Sequence, residues 1–204
     1  RWLENIPAGK GGLPFSSTKE DIEPNGYLLD MLYVLCSTNE VVNLGQLRLP
    51  SPDINPNESR RAKDIVELTL REMYREGKCR FWEQSPLLQM IEGDYDWKNE
   101  QFDKECLMRA IILWHWTQGH RIDRMRRETK FNFVPLVVGD IARLAETVAY
   151  QIEAISRMGY RGKESFTHLL PSDLYRLSTR VNYGVPPELV SIANRHVHAL
   201  ERKM

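Results

Sequence analysis

The sequence predicts an all-α fold, a bundle of about six to eight helices behind an extended N-terminal lead-in. Three observations carry this expectation. Apolar residues recur at i, i+3, i+4 and i+7 through most of the chain beyond residue 58. Residues that start and stop helices bracket those runs, with Ser85 and Asn99 at starts and Gly77 and Gly119 at ends. No series of alternating strands is present, and residues 131–138 are the one extended candidate.

The elements follow in order. Residues 1–26 are punctuated by Pro7, Gly9, Gly11, Gly12, Pro14, Pro24 and Gly26 and read as the lead-in, with residues 27–204 forming the helical domain. The apolar run 27–38 reads as a buried helix, and the Pro/Asn-rich stretch 45–57 as a loop. Helices are then expected over 59–76, 85–91, 99–118, 122–130, 140–158, 172–182 and 187–203. Asn57-Glu58-Ser59 matches a glycosylation pattern but reads as a helix start. No repeat of fixed period occurs.

Composition bounds the function. The chain has 204 residues, of which 42 % are hydrophobic and 27 % charged, enough for a sizeable core. Lys+Arg and Asp+Glu balance at 28 each, which argues against a strong autonomous nucleic-acid binder but leaves room for a local basic groove. Cys36, Cys79 and Cys106 are far apart and lack a CxxC spacing, as expected of reduced thiols in a cytoplasmic protein. No run approaches the roughly 18 apolar residues a membrane span needs, so no membrane partner is expected. The chain begins at Arg1, which suggests a piece of a longer polypeptide.

The segment 140–158 is the most informative. At about 100° per residue, Ile141, Leu144, Ala145, Val148, Ile152 and Ile155 share one face of a helix. Arg143 and Tyr150 fall opposite that face, two turns apart, with Thr147 and Ala154 beside them. A flat π surface next to a cation is what a stacking platform for a single strand requires. The alternative is that Tyr150 packs against a neighbouring helix. The densest basic stretch is His120-Arg121-Ile122-Asp123-Arg124-Met125-Arg126-Arg127, in which Arg124 and Arg127 are candidates for phosphate contacts. With its flanking helices it is compatible with a helix-turn-helix, and equally with a solvated helix face anchored by Ile122 and Met125.

Other constellations are weaker. His196 and His198 diverge by about 200° on a helix, which does not suit joint metal ligation. Trp114-His115-Trp116 reads as helix packing, and the carboxylates of residues 92–96 as a polar loop. No metal site is expected. Residues 8–12 are glycine-rich but lack GxxxxGK[ST], and no acidic motor box or nucleophile motif is present, so no catalytic residues are assigned.

The run Val138-Gly139-Asp140-Ile141-Ala142-Arg143-Leu144-Ala145-Glu146-Thr147-Val148-Ala149-Tyr150 resembles the ratchet helix of archaeal repair helicases and their eukaryotic relatives in the Ski-like branch of superfamily 2. In that family it follows a helix ending in a short motif similar to Ile112-Leu113-Trp114-His115-Trp116-Thr117-Gln118-Gly119, and then a basic linker helix. It precedes a segment similar to residues 173–190, which include Asn182-Tyr183-Gly184-Val185-Pro186-Pro187-Glu188-Leu189. Upstream, residues 29–44 look like the family's first bundle helix, so the resemblance covers about residues 27–192. It implies an accessory domain of an ATP-dependent DNA helicase, in repair or a related process. ATP and Mg would act in the motor domains of the same polypeptide, and no cofactor in this chain. It also implies that Arg143 and Tyr150 contact successive bases of single-stranded DNA or RNA. The family's aromatic is commonly Trp. The glycine-rich turns of its following element are absent from Ile192-Ala193-Asn194-Arg195-His196-Val197-His198. Two other classes remain: a protein-interaction module docking through Trp2, Phe15, Trp82 and Trp97, and a helix-turn-helix DNA-binding regulator using residues 121–130.

Overall fold

A computed structural model describes residues 28–81, 85–97, 99–161 and 171–193, with side chains described at all of these except 158–161 and 171–172. The expected lead-in over 1–26, with its Trp2 and Phe15, lies outside the described residues, as does Trp82. The fold is all-α. Its helices are α1 (Leu28–Cys36), α2 (Asn39–Val42), α3 (Pro56–Arg75), α4 (Pro86–Glu92), α5 (Glu100–Thr117), α6 (Ile122–Thr129), α7 (Val138–Arg161) and α8 (Pro171–Tyr183). A 3-10 turn follows at Pro187–Leu189.

Capping chemistry sets the starts. Asn55 accepts a hydrogen bond from Glu58 N at 3.2 Å and returns one from its own Nδ2 to Glu58 Oε2 at 3.0 Å, with Pro56 in the first turn. This reciprocal cap starts α3 at Pro56, earlier than expected, and leaves Ser59 buried inside the first turn. Ser85 caps α4 through Leu87 N and Leu88 N, and Asn99 caps α5 through Phe102 N. The first apolar run divides into two helices at Ser37-Thr38. There Ser37 Oγ donates to Val34 O and Thr38 Oγ1 to Leu35 O, taking carbonyls a longer helix would use.

The α5 helix is the axis of the bundle. Every side chain from Cys106 to His115 is buried, so this helix has no solvent face at its centre. It packs against α1, α3, α6, α7 and α8. The α7–α8 contact is the most extensive pairing, and α7 also touches α1, α2 and α5. Gln151 Nε2 donates to Thr38 Oγ1 at 2.7 Å and Ser178 Oγ to Ala149 O at 3.0 Å, tying α7 to both neighbours.

Residues 131–138 do not form a strand. Phe131, Val134 and Leu136 are buried while Asn132, Pro135 and Val137 are exposed, an alternation produced by a loop pressed onto the core. The Arg126 guanidinium holds this loop by donating to Leu136 O at 3.2 Å. Of the helix expected over 187–203, residues 187–193 are described, as the 3-10 turn and the first helical residues after it. No helix among the described residues is long and apolar enough to cross a membrane.

Candidate nucleic-acid interface and a histidine corner

The α7 helix presents two opposite faces. Ile141, Leu144, Ala145, Val148 and Ile152 are at most 2 % exposed and close onto the core. Arg143 and Glu146 are exposed on the other side, and Tyr150 is 73 % exposed. Tyr150 therefore does not pack into the bundle. Arg143 lies seven residues before it, about 10 Å along the axis and on the same stripe. Among the described residues Arg143 forms no ion pair. Thr147 stands between them half-buried, its hydroxyl donating to Arg143 O at 3.0 Å. That donor is occupied, so what Thr147 offers to a ligand is an acceptor oxygen and a methyl group.

Arg124 and Arg127 are exposed on α6. Arg124 Nε binds Glu128 Oε1 at 2.6 Å, whereas Arg127 has no ion-pair partner among the described residues. With Gly119, His120, Arg121 and Asp123 they line an open depression. The α6 helix packs on α3 and α5, not extensively on α7. Arg143, Thr147 and Tyr150 thus share one stripe on α7, while Arg124 and Arg127 lie on α6 and line the depression.

Trp97, one of the aromatics of the docking reading, is partly buried against the core. Its ring meets Tyr95 edge-on and lies 4.4 Å beneath Lys104 Nζ.

A constellation that the sequence reading missed sits where α5 turns into α6. His115, in the last turn of α5, is 1 % exposed. Gly119, at φ 70°, reverses the chain and returns His120 beside it, with the two Nδ1 atoms 2.9 Å apart. Glu128, in the last turn of α6, places Oε2 at 3.7 Å from His115 Nδ1 and 3.4 Å from Lys78 Nζ. Burial, then His120, pushes the His115 pKa down to about 3. Burial, then Arg124, lowers that of His120. Burial pulls Glu128 upward, but the Arg124 hydrogen bond and neighbouring charges hold its carboxyl below the usual range. Both imidazoles are therefore neutral and the carboxylate is ionised near neutral pH. Spacings of five and eight residues fit no single helix face. The signal in the sequence was the glycine stop between two helices that both carry polar residues at the junction.

No family model, curated protein or solved structure matches the chain.

Proposed function

We propose that the chain is an accessory domain of an ATP-dependent superfamily-2 DNA helicase that grips single-stranded nucleic acid along α7. The supporting observation is the pairing on one stripe of a largely exposed Tyr150 with an exposed Arg143 that has no ion pair among the described residues, on a helix whose opposite face is core. A nucleobase can stack on the exposed phenol ring while the neighbouring guanidinium meets a base face or a phosphate. The order of segments, with Ile112–Gly119 before this helix and residues 182–189 after it, agrees with the Ski-like resemblance. On this reading, motor domains of the same polypeptide hydrolyse ATP with Mg, and their movement draws the strand past Arg143 and Tyr150. Stacking at about 1–3 kcal/mol per base holds a strand between steps yet releases it.

The test is unwinding by the parent enzyme carrying Tyr150→Ala or Arg143→Ala. Loss of unwinding with an unchanged melting curve is expected. Wild-type unwinding in both variants overturns the proposal. Preference of the isolated chain for duplex over single strand would instead favour duplex recognition through α6.

A further inference from the structure

We propose that His115 Nδ1, His120 Nδ1 and Glu128 Oε2 form a zinc site at the α5–α6 corner. Their ligand atoms all lie within 4.8 Å of one another. Zn–N and Zn–O bonds of about 2.0–2.1 Å in a tetrahedron place neighbouring ligand atoms about 3.3 Å apart. The two measured separations, 2.9 Å between the imidazoles and 3.7 Å from His115 to Glu128, bracket that value. The third pair, His120 and Glu128, lies within 4.8 Å, so seating the ion draws these two side chains together by up to about 1.5 Å.

Two imidazoles and one carboxylate are a donor set suited to zinc rather than to calcium or magnesium, which take oxygen. The surroundings hold the donors in place. Arg124 engages Glu128 Oε1 at 2.6 Å, leaving Oε2 turned toward His115, as outer-shell partners do at metal sites. Lys78, which also touches Oε2, has a second partner in Glu76 at 2.7 Å and can release the atom without losing its own counter-ion. One Nδ1 donates and the other accepts in the 2.9 Å contact, so binding at both Nδ1 atoms moves the donor ring's proton to its Nε2 and leaves both imidazoles neutral. His120 also lines the depression formed with Gly119, Arg121, Asp123, Arg124 and Arg127. A fourth ligand, water or an anion, has access from that side. The site is independent of the α7 stripe, and its test does not involve nucleic acid.

The 204-residue chain, stripped with chelator, is titrated with Zn2+ by calorimetry and with Co2+ by visible absorption. One equivalent of Zn2+ and the d–d band of tetrahedral Co2+ are expected. His120→Ala and Glu128→Gln, checked for wild-type helicity by circular dichroism, should each weaken binding at least about tenfold. The double variant H196A/H198A and Cys79→Ser should bind as wild type does. Wild-type affinity in the His120 and Glu128 variants, loss of binding in either control, or no Co2+ band in the unaltered chain overturns the site.

Discussion

Trp116 and Gly184 interlock where α5 meets the end of α8. The indole Nε1 donates to Val181 O at 2.9 Å, and a Cβ built on Gly184 would come within 2.7 Å of the ring's Cδ2 and Nε1. Gly184 also sits at φ 59°, the left-handed region that costs a side chain about 1–2 kcal/mol. Gly184→Ala should therefore destabilise the fold by about 2–4 kcal/mol, through backbone strain and overpacking together. Urea titration should show a lower midpoint with an unchanged slope. In a Trp116→Ala background the same glycine substitution should cost only the backbone share. Equal costs in the two backgrounds would show that the ring is not the obstacle.

The α7 stripe makes a graded prediction. A base stacks on a ring whether or not the ring carries a hydroxyl, so Tyr150→Phe should keep single-strand affinity and Tyr150→Trp should raise it. Tyr150→Ala should lower affinity by about 5- to 160-fold, the range of one lost stack at about 1–3 kcal/mol. Fluorescence anisotropy with a labelled oligonucleotide at low salt measures this. Because Tyr150 is 73 % exposed, none of the three should move the unfolding midpoint appreciably. An equal loss in Phe and Ala would point to a hydrogen bond from the phenol rather than to stacking.

Much of this architecture could be read from the sequence because its signals are local. The apolar period of α7 sorted Ile141 and Val148 inward and Tyr150 outward, and Ser85 and Asn99 marked their helices as caps. What escaped were features made by tertiary contact. Asn55 pulled the start of α3 forward by a reciprocal cap with Glu58. Phe131 and Leu136 imitated a strand because a loop folded onto the core. His115 was read as helix packing and Glu128 was not singled out, since only the reversal at Gly119 brings them together. Where the α6 arginines stand relative to the α7 stripe depends on which helices pack on which, and periodicity within a helix carries no information about that.

Asp30 is a titrating core group. It is 1 % exposed, and burial raises its pKa well above the ordinary value near 3.8, although Ser85 Oγ donates to Oδ1. Oδ2 has no hydrogen-bond partner among the described residues. The Cys79 thiol is itself pushed up to about 12, first by burial and then by Asp30, so it is uncharged across the physiological range. A folded-state pKa above the unfolded one means that the protonated carboxyl favours the fold. That contribution is complete below about pH 4 and is lost as pH rises toward the folded value. Wild-type stability relative to Asp30→Asn should fall by up to about 1.4 kcal/mol per pH unit across this window. Chemical unfolding of both proteins at several pH values between about 4 and 7 isolates the difference. Parallel curves would mean that Asp30 is not protonated in the fold.

Lys104 and Glu67 form an ion pair of unequal burial, with side-chain exposures of 2 % and 29 %. Lys104 Nζ also stands over the Trp97 ring at 4.4 Å, while Glu67 has a second cation in Arg71 at 2.9 Å. Removing the lysine charge leaves a carboxylate that keeps Arg71 and some water. Removing the carboxylate charge leaves an ammonium in the core with only a ring face for compensation, and an uncompensated buried charge costs several kcal/mol. Lys104→Met retains the aliphatic stem and should therefore be the milder change, within about 1–2 kcal/mol of wild type. Glu67→Gln should cost more, about 2–4 kcal/mol. The double variant K104M/E67Q should be no less stable than E67Q alone, because the stranded charge is gone. Thermal or urea unfolding of the three proteins gives the order, and a costlier K104M than E67Q would place the dominant desolvation on the carboxylate instead.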